Sequence, residues 1–294
     1  MPFPMPGRMA PVHNQTTLQE SKLSEGIGWD DEIHFNTQLS SQWDSLVHWQ
    51  HQPSGLAYNG VTVTKEALAA PHTAANEMPT LDHWHAGGGL VTRGVLIDFK
   101  AWAEERARAE GKTGAEAVCH PLDGHRVTVE QIEAIARDQG VELRPGDVLV
   151  LRTGLTEVLQ APTPDDFAKL QLGKISGMHG TVESAKWLWN QHFAAVAGDA
   201  WAFEALMPLK EDGSVGSPTD LGKLLTALDI YTLTCLTPPC PKRVSSTLRF
   251  IRGHGMLTDG YSFAPLVAVD VWNAYRRAMG RQSSLGTLQE VRQI

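Results

Sequence analysis

The chain reads as an α/β protein, and three observations predict it. Val148-Leu149-Val150-Leu151 is a continuous apolar run of the kind buried on both faces of a sheet. Two more strand-like runs, Val95–Asp98 and Phe193–Ala197, alternate with stretches of helical composition. Gly111, Gly140 and Pro145-Gly146 punctuate the alternation where helices should stop and turns begin.

Taken in order, residues 1 to 28 are polar and proline-punctuated and are expected to form an extended arm. Phe99 to Glu110 carries Ala, Glu and Arg at helical density and stops at Gly111. Thr128 stands three residues before Gln131, which is capping-box spacing; Ile132, Ile135 and Ala136 then fall on one face. Pro145-Gly146 turns into the apolar run, which should be an interior strand. A further helix fits Thr181 to Gln191, ahead of the strand-like Phe193–Ala197. No internal repeat and no linker divides the chain cleanly. The expected layout is the arm, a domain over 29–274 that diverges from about 215, and a polar tail over 275–294.

At 294 residues there is room for one large domain or two small ones. Thirty-three acidic against 25 basic residues leave a net charge of −8, and no Lys/Arg stripe forms. Nucleic acid and anionic membrane are therefore poor partners, and a small-molecule substrate is expected. Three cysteines, Cys119, Cys235 and Cys240, are too few and too odd for a disulfide scaffold and suit a reducing compartment. No apolar run approaches the roughly 20 residues that span a bilayer. Met1-Pro2-Phe3-Pro4-Met5-Pro6-Gly7 does not resemble a signal peptide, so a cytoplasmic location is expected.

The most informative run is Gln38-Leu39-Ser40-Ser41-Gln42-Trp43-Asp44-Ser45-Leu46-Val47-His48. It resembles the signature His-x-Gly-Thr-His-x-Asp-x-Pro-x-His of the cyclase / kynurenine formamidase-like metal hydrolases. Asp44 and His48 match; Ser40-Ser41 replace Gly-Thr, Leu46 replaces proline, and Gln38 and Gln42 stand where two metal-binding histidines belong. Asp30 to Gln38 is similar to the leading segment of fungal-type members. Tyr58-Asn59-Gly60, Val91–Asp98, Arg144–Asp147 and Arg152-Thr153-Gly154 follow in family order, and Gly198-Asp199 with Phe203-Glu204 resembles the second acidic segment. The resemblance spans residues 26 to 210. Beyond it the family's Gly-Glu segment is missing, and Ala264-Pro265-Leu266 is the only echo; divergence and an altered reading frame both account for this.

The resemblance implies the family's swivelling β/β/α fold, a homo-oligomer, and a metal-dependent hydrolase of a C–N bond. Arylformamidase activity in tryptophan catabolism (kynurenine formamide hydrolysis) and isatin-type ring opening are the activities it brings. The implied metal, manganese or zinc, would take Asp44, Gln42, Gln38, Glu183 and His179 as ligands. His48 would be the catalytic acid/base, assisted by Glu183. The two glutamines offer amide oxygens in place of imidazole nitrogens, which suits a harder cation such as manganese or magnesium; alternatively they surround a site that has lost its metal. Glu183 has the alternative reading of a first-turn acid meeting the helix dipole, and His179 that of a structural helix-entry residue. Trp43, Trp84 and Asp199 are candidate substrate contacts, with core packing and turn capping as their other readings. His83 and His85 flank Trp84 as i and i+2, positions that diverge in a strand, and read as loop residues. The other function class open to the chain is a metal-free relative that binds a small aromatic ligand or a partner without turnover.

Overall fold

The structure, a computed structural model, describes residues 8–22, 25–36, 42–51, 54–207, 209, 214 and 216, and the backbone of 231–234 and 247–249. The chain divides into two compact units, Met1–Gln42 and Trp43–Ile294. The 275–294 tail and the Ala264-Pro265-Leu266 echo lie outside the described residues.

In the first unit, β1 (Val12–Thr17) pairs antiparallel with β2 (Trp29–His34), in register from Val12 against His34 to Thr17 against Trp29. The expected extended arm contains a strand. Its turn is set locally: the Thr17 backbone N–H donates to the Glu20 carboxylate at 2.7 Å, and the Glu20 N–H donates back to Thr17 Oγ1 at 3.1 Å. That reciprocal pair reverses the chain and lets a polar sequence find a partner strand.

The second unit is built on a six-stranded sheet. Its edge strand β3 (Gln42–Trp43) is followed by two short helices, α1 (Lys65–Leu68) and α2 (Leu81–Ala86). Then come β4 (Arg93–Asp98), α3 (Phe99–Ala109), β5 (Arg126–Val127), α4 (Val129–Asp138), β6 (Val148–Arg152), α5 (Leu155–Gln160), α6 (Pro164–Gln171), β7 (Gly177–Met178), α7 (Val182–Gln191) and β8 (Ala195–Gly198). Two further strands, β9 (Tyr231–Thr234) and β10 (Thr247–Arg249), complete the order β10-β4-β6-β8-β9-β3; β5 and β7 form a separate parallel pair.

The predicted interior strand is β6, flanked by β4 and β8 in parallel. Its continuous apolar run is explained by two faces that are both covered. Val95, Leu149 and Val196 share one row and Ile97 and Leu151 the next; these belong to the large core with Val129, Ile132 and Ile135 of α4 and Ala185 and Leu188 of α7. The alternate row places Val148 beside Ala195 and Val150 beside Ala197, and Trp43 and Leu90 pack against that opposite face. The capping box forms as spaced: Gln131 N–H donates to Thr128 Oγ1 at 3.3 Å, and Thr128 N–H donates to Gln131 Oε1 at 2.9 Å. Arg93 pins the start of the sheet by a two-pronged contact to the buried Asp147 carboxylate, at 2.8 and 2.6 Å. No helix among the described residues is long and apolar enough to cross a membrane.

Candidate functional site

Trp43 leaves β3 with its indole on the alanine-bearing face of the sheet. Ala195 and Ala197 present only methyl groups there, so a bulky ring fits against the strands. The chain then turns: the His48 N–H donates to the Ser45 carbonyl at 3.0 Å. The turn brings His48 Nδ1 to 3.7 Å from Asp44 Oδ1, with 44% of the histidine and 22% of the aspartate side chain exposed. At 3.7 Å the pair is an electrostatic contact rather than a hydrogen bond, and its exposure leaves the imidazole reachable from solvent. Trp49, next in sequence, has an indole N–H buried without a hydrogen-bond partner.

Gln38 and the side chain of Gln42 lie outside the described residues. Glu183 is described. It sits exposed in the first turn of α7, whose N-cap Thr181 accepts from the Ser184 N–H at 3.1 Å. Helical spacing decides its direction: Ala185 and Leu188 form the stripe that α7 buries in the large core. That core covers the face of the sheet opposite the one Trp43 packs on. Glu183 instead occupies the position where an acid meets the partial positive charge of a helix N-terminus.

His179 bridges β7 and α7, with its N–H donated to the Val127 carbonyl at 2.8 Å. Burial, and then the Arg126 charge, hold its imidazole below the usual range. A neighbouring cation opposes a metal ion there. Asp199, at the end of β8, has both oxygens engaged: Oδ1 accepts from Thr153 N–H at 2.7 Å and Thr153 Oγ1–H at 2.9 Å, and Oδ2 from Gly154 N–H at 2.7 Å. Gly154 takes a left-handed φ of 93° to aim that N–H, a conformation glycine adopts without strain. Asp199 thus ties the β6 end to the β8 end. Beside it, Arg152 pairs with Asp98 at 2.5 Å and with Glu157, a cross-strand network the sequence reading did not assign.

Trp84, His83 and His85 lie on α2 rather than in a loop. Asn76 and Thr80 both donate to Asp82, which fixes the first turn of that helix. Successive alternate residues on a helix still diverge, so the two histidines do not converge.

Among the described residues no group of three or more His, Cys, Asp or Glu side chains can hold a metal ion. The donors that the motif supplies are the Asp44 carboxylate and two amide oxygens, with His48 alone offering nitrogen. That set fits a hard, oxygen-liganded cation and not a histidine-rich zinc centre.

A profile of the Cyclase family matches residues 4–205. A crystal structure of a novel cyclase superposes with a TM-score of 0.56 at 25% identity, over 78% of this chain and 69% of that one. Isatin hydrolase A from Labrenzia aggregata superposes at 0.46 with 14% identity, over 79% and 73%. Isatin hydrolase A from Ralstonia solanacearum gives 0.44 with 15% identity, over 79% and 73%. Among curated proteins none matches. The chain belongs to the Cyclase family, and its sheet and helices are those of that family's α/β fold.

Proposed function

We propose that this Cyclase-family chain hydrolyses a carbon–nitrogen amide bond, a formamide or a lactam, with His48 as the proton carrier. The observation that supports the reading is the half-open Asp44–His48 pair on the turn after Trp43. In that reaction the His48 imidazole accepts a proton as water attacks the carbonyl carbon. It returns the proton to the nitrogen as the C–N bond breaks, so imidazole ends as it began. Asp44 Oδ1 lies 3.7 Å from the His48 Nδ1 that faces it.

Asp44, with Gln42 and Gln38, would hold a divalent cation, manganese or magnesium in preference to zinc, and a bound cation supplies Lewis-acid polarisation of water or carbonyl. Trp43 would offer an apolar wall to an aromatic acyl group. A homo-oligomer, a cytoplasmic location and a link to tryptophan catabolism belong to the same reading and rest on resemblance. The test is a panel of aryl formamides and lactams assayed with manganese, magnesium and zinc in turn. Turnover of at least one substrate, highest with manganese or magnesium, is expected. No turnover with any metal, together with saturable binding of an aromatic acid, would replace this reading with a ligand-binding relative.

A further inference from the structure

We infer that Glu204 is a protonation-dependent clasp: the chain leaving β8 docks onto β7 while the Glu204 carboxyl is neutral and releases when it ionises. This goes beyond the proposed hydrolysis and does not depend on it. The docking is backbone against backbone. Met178 N–H donates to the Phe203 carbonyl, Ala205 N–H to the Met178 carbonyl and Leu206 N–H to the Ile175 carbonyl, each at 2.9 Å. Arg126 of β5 adds a bond to the Met207 carbonyl. The approach is so close that a Cβ on Gly177 would lie 2.5 Å from the Glu204 carbonyl carbon, so this strand position has room only for glycine.

Bridging partners in a ladder project to the same side, and Glu204 bridges Met178, which is wholly buried in the large core beside Val127. Glu204 is accordingly 1% exposed, and its Oε2 is buried with no hydrogen-bond partner. Of the ionisable groups on the elements packed against it, Arg126 donates to Met207 and Asp199 on its own segment is bound by Thr153 and Gly154, while the His125 ring lies 5.9 Å from the Phe99 ring with its Nε2 buried and without a hydrogen-bond partner. His179 follows β7 and is itself held toward the neutral form by burial. A carboxylate here would lie in apolar surroundings with one oxygen unsatisfied, the arrangement that costs most to bury.

Burial pushes the Glu204 carboxyl up to about 7, opposed by its own backbone N–H. The sign follows from proton uptake. Between the usual glutamate value of 4.5 and about 7 the docked form holds a proton that the released form has lost. Docking is therefore fully favoured below 4.5, weakens as pH rises through that window, and levels off above it.

Hydrogen exchange of the Met178, Ala205 and Leu206 amides tests this, with rates corrected for intrinsic base catalysis. In the wild-type chain their opening equilibrium should rise on the order of tens-fold from pH 5 to pH 7 and flatten beyond. In Glu204→Gln it should be flat across the range. A flat wild-type profile, or the same slope in both proteins, overturns the clasp. Should Glu204→Gln not fold, the ¹³C titration of the wild-type Glu204 carboxyl decides: a midpoint near neutrality supports the proposal, and one in the ordinary glutamate range overturns it.

Discussion

The two faces of the central sheet do different jobs. On one, Val95, Ile97, Leu149, Leu151 and Val196 meet three helices whose apolar stripes are regular and whose caps are satisfied. On the other, Val148, Val150, Ala195 and Ala197 are met by Trp43 and Leu90, from an edge strand and from the chain ahead of β4. The helical face gains its stability from many aliphatic contacts. Among the described residues the other face is met by Trp43 and Leu90, and the half-open Asp44–His48 pair follows Trp43 in the chain. Turns can present such a pair because they need not bury every side chain they carry.

If the division is real, substitutions on the two faces should separate activity from stability. His48→Ala is expected to lower turnover by about 10² to 10⁴, or about 3 to 5 kcal/mol of barrier, with metal content and melting temperature unchanged. Steady-state kinetics beside a thermal melt read both, and a fall in melting temperature that tracks the loss would blur the comparison. Leu188→Ala, wholly buried on the helical face, should cost about 2 to 5 kcal/mol in denaturant unfolding while the remaining folded protein keeps its kcat. A finer contrast is Thr128→Ala, which removes the α4 capping box and should cost about 1 kcal/mol by the same unfolding measurement, again without altering turnover.

What the sequence revealed follows the same line. The Thr128–Gln131 box, the Ile132–Ile135 stripe and the 148–151 run are local patterns with one good structural solution, and each forms where it was expected. The strand at Val12–Thr17 was hidden because a polar ribbon shows no apolar alternation. The direction of Glu183 was hidden for a different reason. A motif gives the order of residues along the chain, whereas the face a helix turns to the sheet depends on which of its positions the core takes up. Once Ala185 and Leu188 are buried, Glu183 must point away. The helical state of His83-Trp84-His85 depends on Asn76 and Thr80 donating to Asp82, a contact set that spacing alone does not announce. Glu204 was visible as part of an acidic segment, but its burial follows from the bridge to Met178.

The measurement that tests the placement of the site most directly is calorimetric titration of manganese into the wild-type chain, Asp44→Asn and Glu183→Gln. Binding should be lost in Asp44→Asn and kept within about twofold in Glu183→Gln, because Glu183 stands exposed in the first turn of α7, whose buried stripe faces the large core. Loss of binding in Glu183→Gln, or binding that Asp44→Asn leaves untouched, would contradict that placement.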